Sequence, residues 1–335
     1  MPVLTNEYLN FYPELPLVFY HYCSVNTFLS IIENNNIWLS DAEKTNDYTE
    51  MKWLFSKIHE VIEKSLLSYG QIYSEDVILK SKRFIYQMAE NLLNKKAPII
   101  QNSKSFLACF SEAEDLLSQW RAYGNDGNGI AIGFNPVIFE KFADESYYIM
   151  TKVIYSDDDI SEFLHAAIDE PLKWAIESSI NSENEELDET KLAMNISMLV
   201  YSLWQEGPIY KHNSFIEEQE WRLFRRLQSS NFDDCDGVDD YGYAHFLEGF
   251  FSDNEKFLGD FIRGPLKFRS VNNDIRLYFE LGFDKCKKEI IKEIIIGPKC
   301  KIEPLDLKLL LAKNKYIDDI YSNSIKIKKS NCPYI

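Results

Sequence analysis

The sequence predicts a mixed α+β fold, and three observations carry that expectation. Short apolar and aromatic runs of strand length recur from Leu17 to Lys328. Two stretches, at about 47–96 and 159–206, instead repeat their apolar residues at helical spacing. No linker rich in Pro, Gly or Ser separates the parts, so the expectation is one domain over residues 1–335 with helical insertions. At 335 residues and 45% hydrophobic, the chain can bury a sizeable core.

In order, Leu17 to Tyr22 reads as a strand, which puts His21 at a strand end. Ser24 and Asn26 introduce a short helix over Phe28, Leu29, Ile31 and Ile32, which Asn34 to Asn36 close before a second strand, Ile37 to Leu39. From Asp47 the apolar stripe Met51, Leu54, Phe55, Ile58, Val61, Ile62 and Leu66 predicts a helix, and a second uses Ile78, Phe84, Ile85, Met88 and Leu92, with Lys95 and Lys96 at its end and Pro98 stopping it. Phe106 to Phe110 is a strand. Ser111 with Glu114 has capping-box spacing and predicts a helix starting there, with Leu116, Leu117 and Trp120 buried and Ser118, Arg121 and Tyr123 facing out near its end. Gly124, Gly127 and Gly129 mark a turn, not a phosphate cradle, because their spacing fits neither the dinucleotide fingerprint nor the P-loop. Ile130 to Phe134 resumes as a strand, Val137 to Phe142 as a helix and Thr151 to Tyr155 as a strand.

The block 159–206 is helical, with Pro171 inside it and an acidic break from Ser182 to Asp188. Glu220 to Leu227 reads as a strand, and extended backward it would set Glu218, Glu220 and Arg222 on one face. Phe232 to Gly242 is an acidic loop. Leu266 to Arg269, Ile275 to Phe283 and Glu289 to Ile296 read as strands, Leu305 to Ala312 as a helix and Ile325 to Lys328 as a last strand.

The net charge of -17, from 36 basic and 53 acidic residues, repels nucleic acids and anionic membranes at long range, so an anionic ligand requires a local patch. Six cysteines lack C-x-x-C pairs and zinc spacing, which reads as free thiols in a reducing cytoplasm with no metal site. Neither an export signal nor an apolar run of membrane-spanning length is present. The G-x-S-x-G elbow and H-E-x-x-H are absent too. What remains is a His at a strand end, a Tyr on the helix after a strand, and a Glu opening a later strand.

Those segments carry a resemblance. His21-Tyr22-Cys23-Ser24, the following helix and Ile37-Trp38-Leu39 resemble the opening of the ADP-ribosyltransferases of the diphtheria-toxin and poly-ADP-ribose polymerase type. Tyr123 matches their second motif and Glu220, ahead of Trp221-Arg222-Leu223-Phe224, their third. The His-Tyr pair, Cys109-Phe110-Ser111-Glu112, Trp120-x-x-Tyr123 and Glu218-x-Glu220-Trp221-Arg222 also resemble a bacterial family of unknown function. The resemblance implies a split, bent ADP-ribosyltransferase-like sheet, NAD as substrate, and a macromolecular acceptor, protein or nucleic acid. It implies catalytic Glu220 and Glu218, with His21, Tyr22, Ser111, Ser118, Tyr123 and Arg222 binding the cofactor. Tyr22 stands where that type has a small residue and Trp120 where it has a Ser, for which Ser118 or Ser111 substitutes. A toxin or phage-defence effector with an antitoxin or immunity partner is the role implied. An RNA 2'-phosphotransferase-like enzyme and a catalytically silent binding module of the same fold are the alternatives.

Overall fold

Ser24 shows how local chemistry sets the first boundaries: its hydroxyl accepts from Thr27 N at 3.1 Å, starting a helix that Asn35 ends in a left-handed conformation (φ 56°). The computed structural model describes residues 14–44, 48–94, 103–145, 149–181, 186–205, 207–228, 266–271 and 273–334. In chain order the elements are β1 (Phe19–Cys23), α1 (Val25–Asn34), β2 (Asn36–Asp41), α2 (Tyr48–Ser68), α3 (Glu75–Leu93), β3 (Ser103–Ser111), α4 (Leu117–Ala122) and β4 (Ile130–Phe134). They continue as α5 (Pro136–Glu145), β5 (Ile149–Lys152), α6 (Asp157–Glu177), α7 (Glu189–Gln205), β6 (Glu220–Gln228), β7 (Lys267–Val271) and β8 (Asp274–Gly282). The last four are α8 (Lys287–Ile290), β9 (Ile291–Ile296), α9 (Pro304–Lys313) and β10 (Lys326–Lys329).

Two compact units share the chain: Thr45–Ser103 with Val153–Ile216, and Pro13–Lys44 with Lys104–Lys152 and Glu217–Ile335. The first is helical. There α2 buries the predicted Leu54, Phe55, Ile58, Val61, Ile62 and Leu66, α3 buries Ile85, Ala89 and Leu92, and the 159–206 block resolves into α6 and α7. Pro171 lies inside α6. Tyr69 donates its hydroxyl to the Asp169 carbonyl at 2.7 Å, tying the end of α2 to α6.

The second unit holds a bent, open mixed sheet in the order β10-β9-β4-β1-β3-β2-β8-β7, with β6 pairing β3 and β5. The β9–β10 pair is parallel; the pairs of β1 with β4, β4 with β9, β2 with β8 and β7 with β8 are antiparallel. One face carries the main core, where Phe19, Phe110, Phe134 and Phe139 meet with ring centroids 4.3–5.8 Å apart, mostly edge to face. The other face of β1 carries Tyr20 and Tyr22, packed with Trp120, Ala131 and Ile295.

Some boundaries differ from expectation. The expected strand at Thr151 to Tyr155 is β5, four residues ending at Lys152. The strand expected from Glu289 starts at Ile291, because Lys287–Ile290 closes a helical turn first. The acidic loop at 232–242 lies outside the described residues, as do Ser182 to Glu185 of the acidic break. Among the described residues no helix is long and apolar enough to cross a membrane, and Cys23, Cys109, Cys286, Cys300 and Cys332 are free thiols.

Candidate functional site

Several of the predicted residues, His21, Tyr22, Ser111 and the Glu218 backbone, make contacts at or just past the C-terminal end of β3, whereas Ser118 and Tyr123 lie on α4 and at its cap. Ser111 pairs with Tyr20 of β1, while Leu107 and Phe106 pair with Ser40 and Asp41 of β2. Between these contacts the Cys109 carbonyl lies 3.1 Å from His21 Nδ1. A carbonyl only accepts, so Nδ1 carries the proton and Nε2 is left as the acceptor nitrogen. Burial holds the His21 pKa below the ordinary histidine value, against the opposing pull of the Cys109 bond, so the ring is neutral at neutral pH. Alternation along β1 puts His21 with Ile132 on the main-core face, and Tyr22 on the opposite face.

Tyr22 is buried and is a positioning residue for the turn that follows β3. Its hydroxyl donates to the Ala113 carbonyl at 2.6 Å and accepts from Leu116 N at 3.2 Å, and its ring meets Trp120 edge to face at 4.8 Å. Burial pushes the phenol pKa upward. This turn corrects the expected helix start. The Ser111 hydroxyl accepts from Ala113 N at 3.1 Å, a local turn that competes with a cap, and Glu114 reaches Lys328 at 2.7 Å instead of closing a capping box. The helix α4 therefore begins at Leu117, with Leu117 exposed and Gln119 and Trp120 buried. Ser118, expected to face out, has a buried hydroxyl oxygen without a hydrogen-bond partner. Tyr123 caps the helix and is 43% exposed, a usable aromatic face.

After α4, Asn125, Asp126 and Gly127 take positive φ values of 49°, 54° and 82°, the turn the sequence predicted. A Cβ on Gly129 would lie 2.1 Å from the Cys23 carbonyl, so this glycine serves close backbone packing. Beside the turn lies the C-terminal segment. Asp115 accepts from Trp120 Nε1 at 2.7 Å, Ser330 Oγ at 2.6 Å and Asn331 N at 2.7 Å, while Tyr334 donates to Asp126 at 2.5 Å.

On the other side of β3, Ser111 donates its hydroxyl to the Glu218 carbonyl at 2.5 Å, and Glu112 N donates to the Gln219 carbonyl at 3.0 Å. These bonds fix where β6 begins. Glu218 ends a 3₁₀ turn (Asn213–Glu218) and Gln219 is left-handed (φ 44°), so the expected shared strand face of Glu218 and Glu220 does not form. The strand starts at Glu220 itself. There Arg222 forks onto the Glu220 carboxylate, Nε to Oε1 at 2.8 Å and Nη2 to Oε2 at 3.0 Å, with both side chains almost fully buried at 4% and 7% exposure. Trp221, one residue on and facing the core, donates Nε1 to Glu112 at 2.6 Å, and Lys152 neutralises that carboxylate at 2.8 Å.

The structure thus brings Ser111, the Glu218 backbone, Glu220 and Arg222 to one end of β3, with His21 bonded two residues back along the same strand. It separates His21 and Tyr22 onto opposite faces. Sequence reasoning missed Asp115 and the buried Glu293, which accepts a hydrogen bond from Tyr20 and faces Lys328 at 3.3 Å. A lone acid in a strand of isoleucines was the only signal for Glu293; nothing local marks Asp115.

Residues 119–223 match a family model described as "Protein of unknown function (DUF2971)". The matched span runs from α4 into β6 and includes Tyr123, Glu218, Glu220 and Arg222, while β1 and His21 precede it. No curated protein and no solved structure matches the chain.

Proposed function

We propose that this protein is an NAD-dependent ADP-ribosyltransferase whose reacting groups are arranged around the end of β3. The observation that carries the reading is the Ser111–Glu218 bond, which anchors the Glu-x-Glu segment two residues from the carbonyl held by His21. In the reaction the bond between ribose C1' and the nicotinamide nitrogen breaks and the electron pair leaves with nicotinamide. A lone pair of the acceptor then forms the new bond to C1', and the acceptor's proton passes to a base.

The roles follow from each residue's setting. Tyr123 offers an exposed ring for stacking the leaving nicotinamide. The Nε2 of neutral His21 accepts from a ribose hydroxyl. Arg222 orients Glu220; a pyrophosphate that drew this guanidinium away would leave the carboxylate facing the positive charge that develops on the ribose. Glu218, partly exposed just ahead of the strand, is placed to accept the acceptor's proton. Tyr22 and Ser111 support the turn and strand around them; they hold no cofactor group directly.

A second reading is favoured by specific packing. Tyr22 and Trp120 fill the space beside β1, and the Glu220–Arg222 pair is already closed, as suits a catalytically silent binding module. One pair of measurements decides. NAD at 100 times its dissociation constant stabilises a one-site protein by about 2.7 kcal/mol, which a melting curve detects. Nicotinamide release then separates turnover from binding. A melting shift with release supports the transferase, and no shift at millimolar NAD supports the silent module. With turnover in hand, Glu220→Gln is expected to lower release about 10²–10³-fold, and Glu218→Gln to lower acceptor labelling while release to water persists.

A further inference from the structure

Away from that site, β2, β8 and β7 present a second sheet face with its own chemistry. Cross-strand partners share a face, and here Ser40 lies opposite Tyr278 and Arg276 opposite Arg269, with Leu39 and Phe279 turned to the core. Two like charges therefore stand directly across from each other. Each lysine in the neighbourhood has its acid: Lys267 meets Glu280 at 2.9 Å and Lys44 meets Asp274 at 2.7 Å. Neither arginine is ion-paired to a carboxylate among the described residues. Asp274 feels the charge of Arg276, but both its carboxylate oxygens are taken by Lys44.

The Arg269 guanidinium is held in place without an acid. It lies over Trp38 at 4.8 Å and near Tyr278 at 5.8 Å, and Nη2 donates to Ser40 Oγ at 3.1 Å. The Nε atoms of both Arg269 and Arg276 are buried with no hydrogen-bond partner. Burial, then the charge of Arg276, presses the Arg269 pKa below its ordinary value, with the Tyr278 phenol opposing. Facing like charges and two unsatisfied donors both cost stability in the empty protein.

We propose that Arg269 and Arg276 form a binding site for a dianionic phosphate group, with Ser40, Trp38 and Tyr278 fixing the Arg269 fork. Two planar guanidiniums match a tetrahedral dianion, which relieves their repulsion and satisfies their donors. The ligand is a small phosphate monoester and not a nucleic-acid backbone, because the net charge of -17 repels a long polyanion while leaving a compact local patch effective. The assignment is independent of the transferase reading, and its test uses no NAD.

Inorganic phosphate, AMP and adenosine are titrated by calorimetry against the full chain, alongside a short oligonucleotide with and without a 5'-phosphate. Phosphate and AMP are expected to bind and adenosine not to. Arg276→Gln is expected to weaken phosphate about 10- to 100-fold. The same change removes the facing charge, so it is expected to leave Tm unchanged or raise it by about 1–3 °C. A structural arginine would lower Tm instead. Because a variant could misfold, arginine modification of the wild-type protein by phenylglyoxal, mapped by mass spectrometry, gives a second readout: phosphate should protect Arg269 and Arg276. Absence of phosphate binding at millimolar concentration, protection of other arginines only, or oligonucleotide binding that ignores the terminal phosphate each overturns the proposal.

Discussion

The end of β3 and the β2–β8–β7 face use arginine in opposite ways. Arg222 is buried two residues from Glu220 and forks onto its carboxylate within one strand. Arg269 and Arg276 sit across two strands, facing each other, with ring faces and a hydroxyl in place of an acid. The comparison teaches that a buried arginine is informative through its partner and not through its burial. The closed pair costs little while intact and much when halved; the open pair is under strain until something anionic arrives.

The strongest way to sharpen the contrast is to halve the closed pair. Arg222→Met removes the forked partner of a buried carboxylate and is expected to cost about 3–5 kcal/mol in chemical denaturation. Adding Glu220→Gln should recover most of that loss. If the single variant costs less than 1 kcal/mol, the pair is not the neutralised unit described here.

Next in size is Tyr22→Phe. Its hydroxyl serves both the Ala113 carbonyl and Leu116 N, so its removal is expected to cost about 1–3 kcal/mol, readable as a shift in denaturation midpoint at unchanged slope. An unchanged midpoint would mean water replaces both bonds.

A smaller effect tests His21. Its folded pKa is depressed, so below about pH 6.5 the unfolded chain holds more protons than the folded one. Its contribution is present above that pH and falls away as pH drops toward the folded value. Stability measured from pH 7.5 to 5 should therefore decline with a slope that His21→Gln reduces. Identical slopes in the two proteins would place the titration elsewhere.

Smallest is Lys44→Ala. The Lys44–Asp274 pair is exposed and screened, and its loss is expected to leave the denaturation midpoint almost unchanged. Phosphate affinity should change in the same experiment, because a freed Asp274 lies near Arg276 and competes with the ligand.

Much of the sheet was legible because β1, β2, β3 and β4 are short apolar runs bounded by Ser and Asn signals such as Ser24 and Asn35. The site was legible in part. Ser111 and Glu220 are at strand ends as strand reasoning put them, whereas His21, expected at a strand end, is the middle residue of β1, because the strand runs on to Cys23 against Ile130 of β4. The start of α4 was not, because Ser111 can cap a helix or close a turn, and the choice is made by Tyr22, some ninety residues away, holding Ala113 and Leu116. Glu218 was misplaced because a left-handed Gln219 carries no sequence mark; this conformation usually goes to Gly or Asn. The facing of Arg269 and Arg276 depends on the hairpin register, which the spacing of two short runs leaves open.

The strand pairings also dictate the order in which the chain can mature. During synthesis β1, β2 and β4 are made well before their partners, since β2 pairs with β8 and β4 with β9. Helices α2, α3, α6 and α7 belong to the other compact unit. The β2–β8 and β4–β9 pairings join strands far apart in the chain, so refolding from denaturant is expected to be slow and prone to aggregation at high protein concentration.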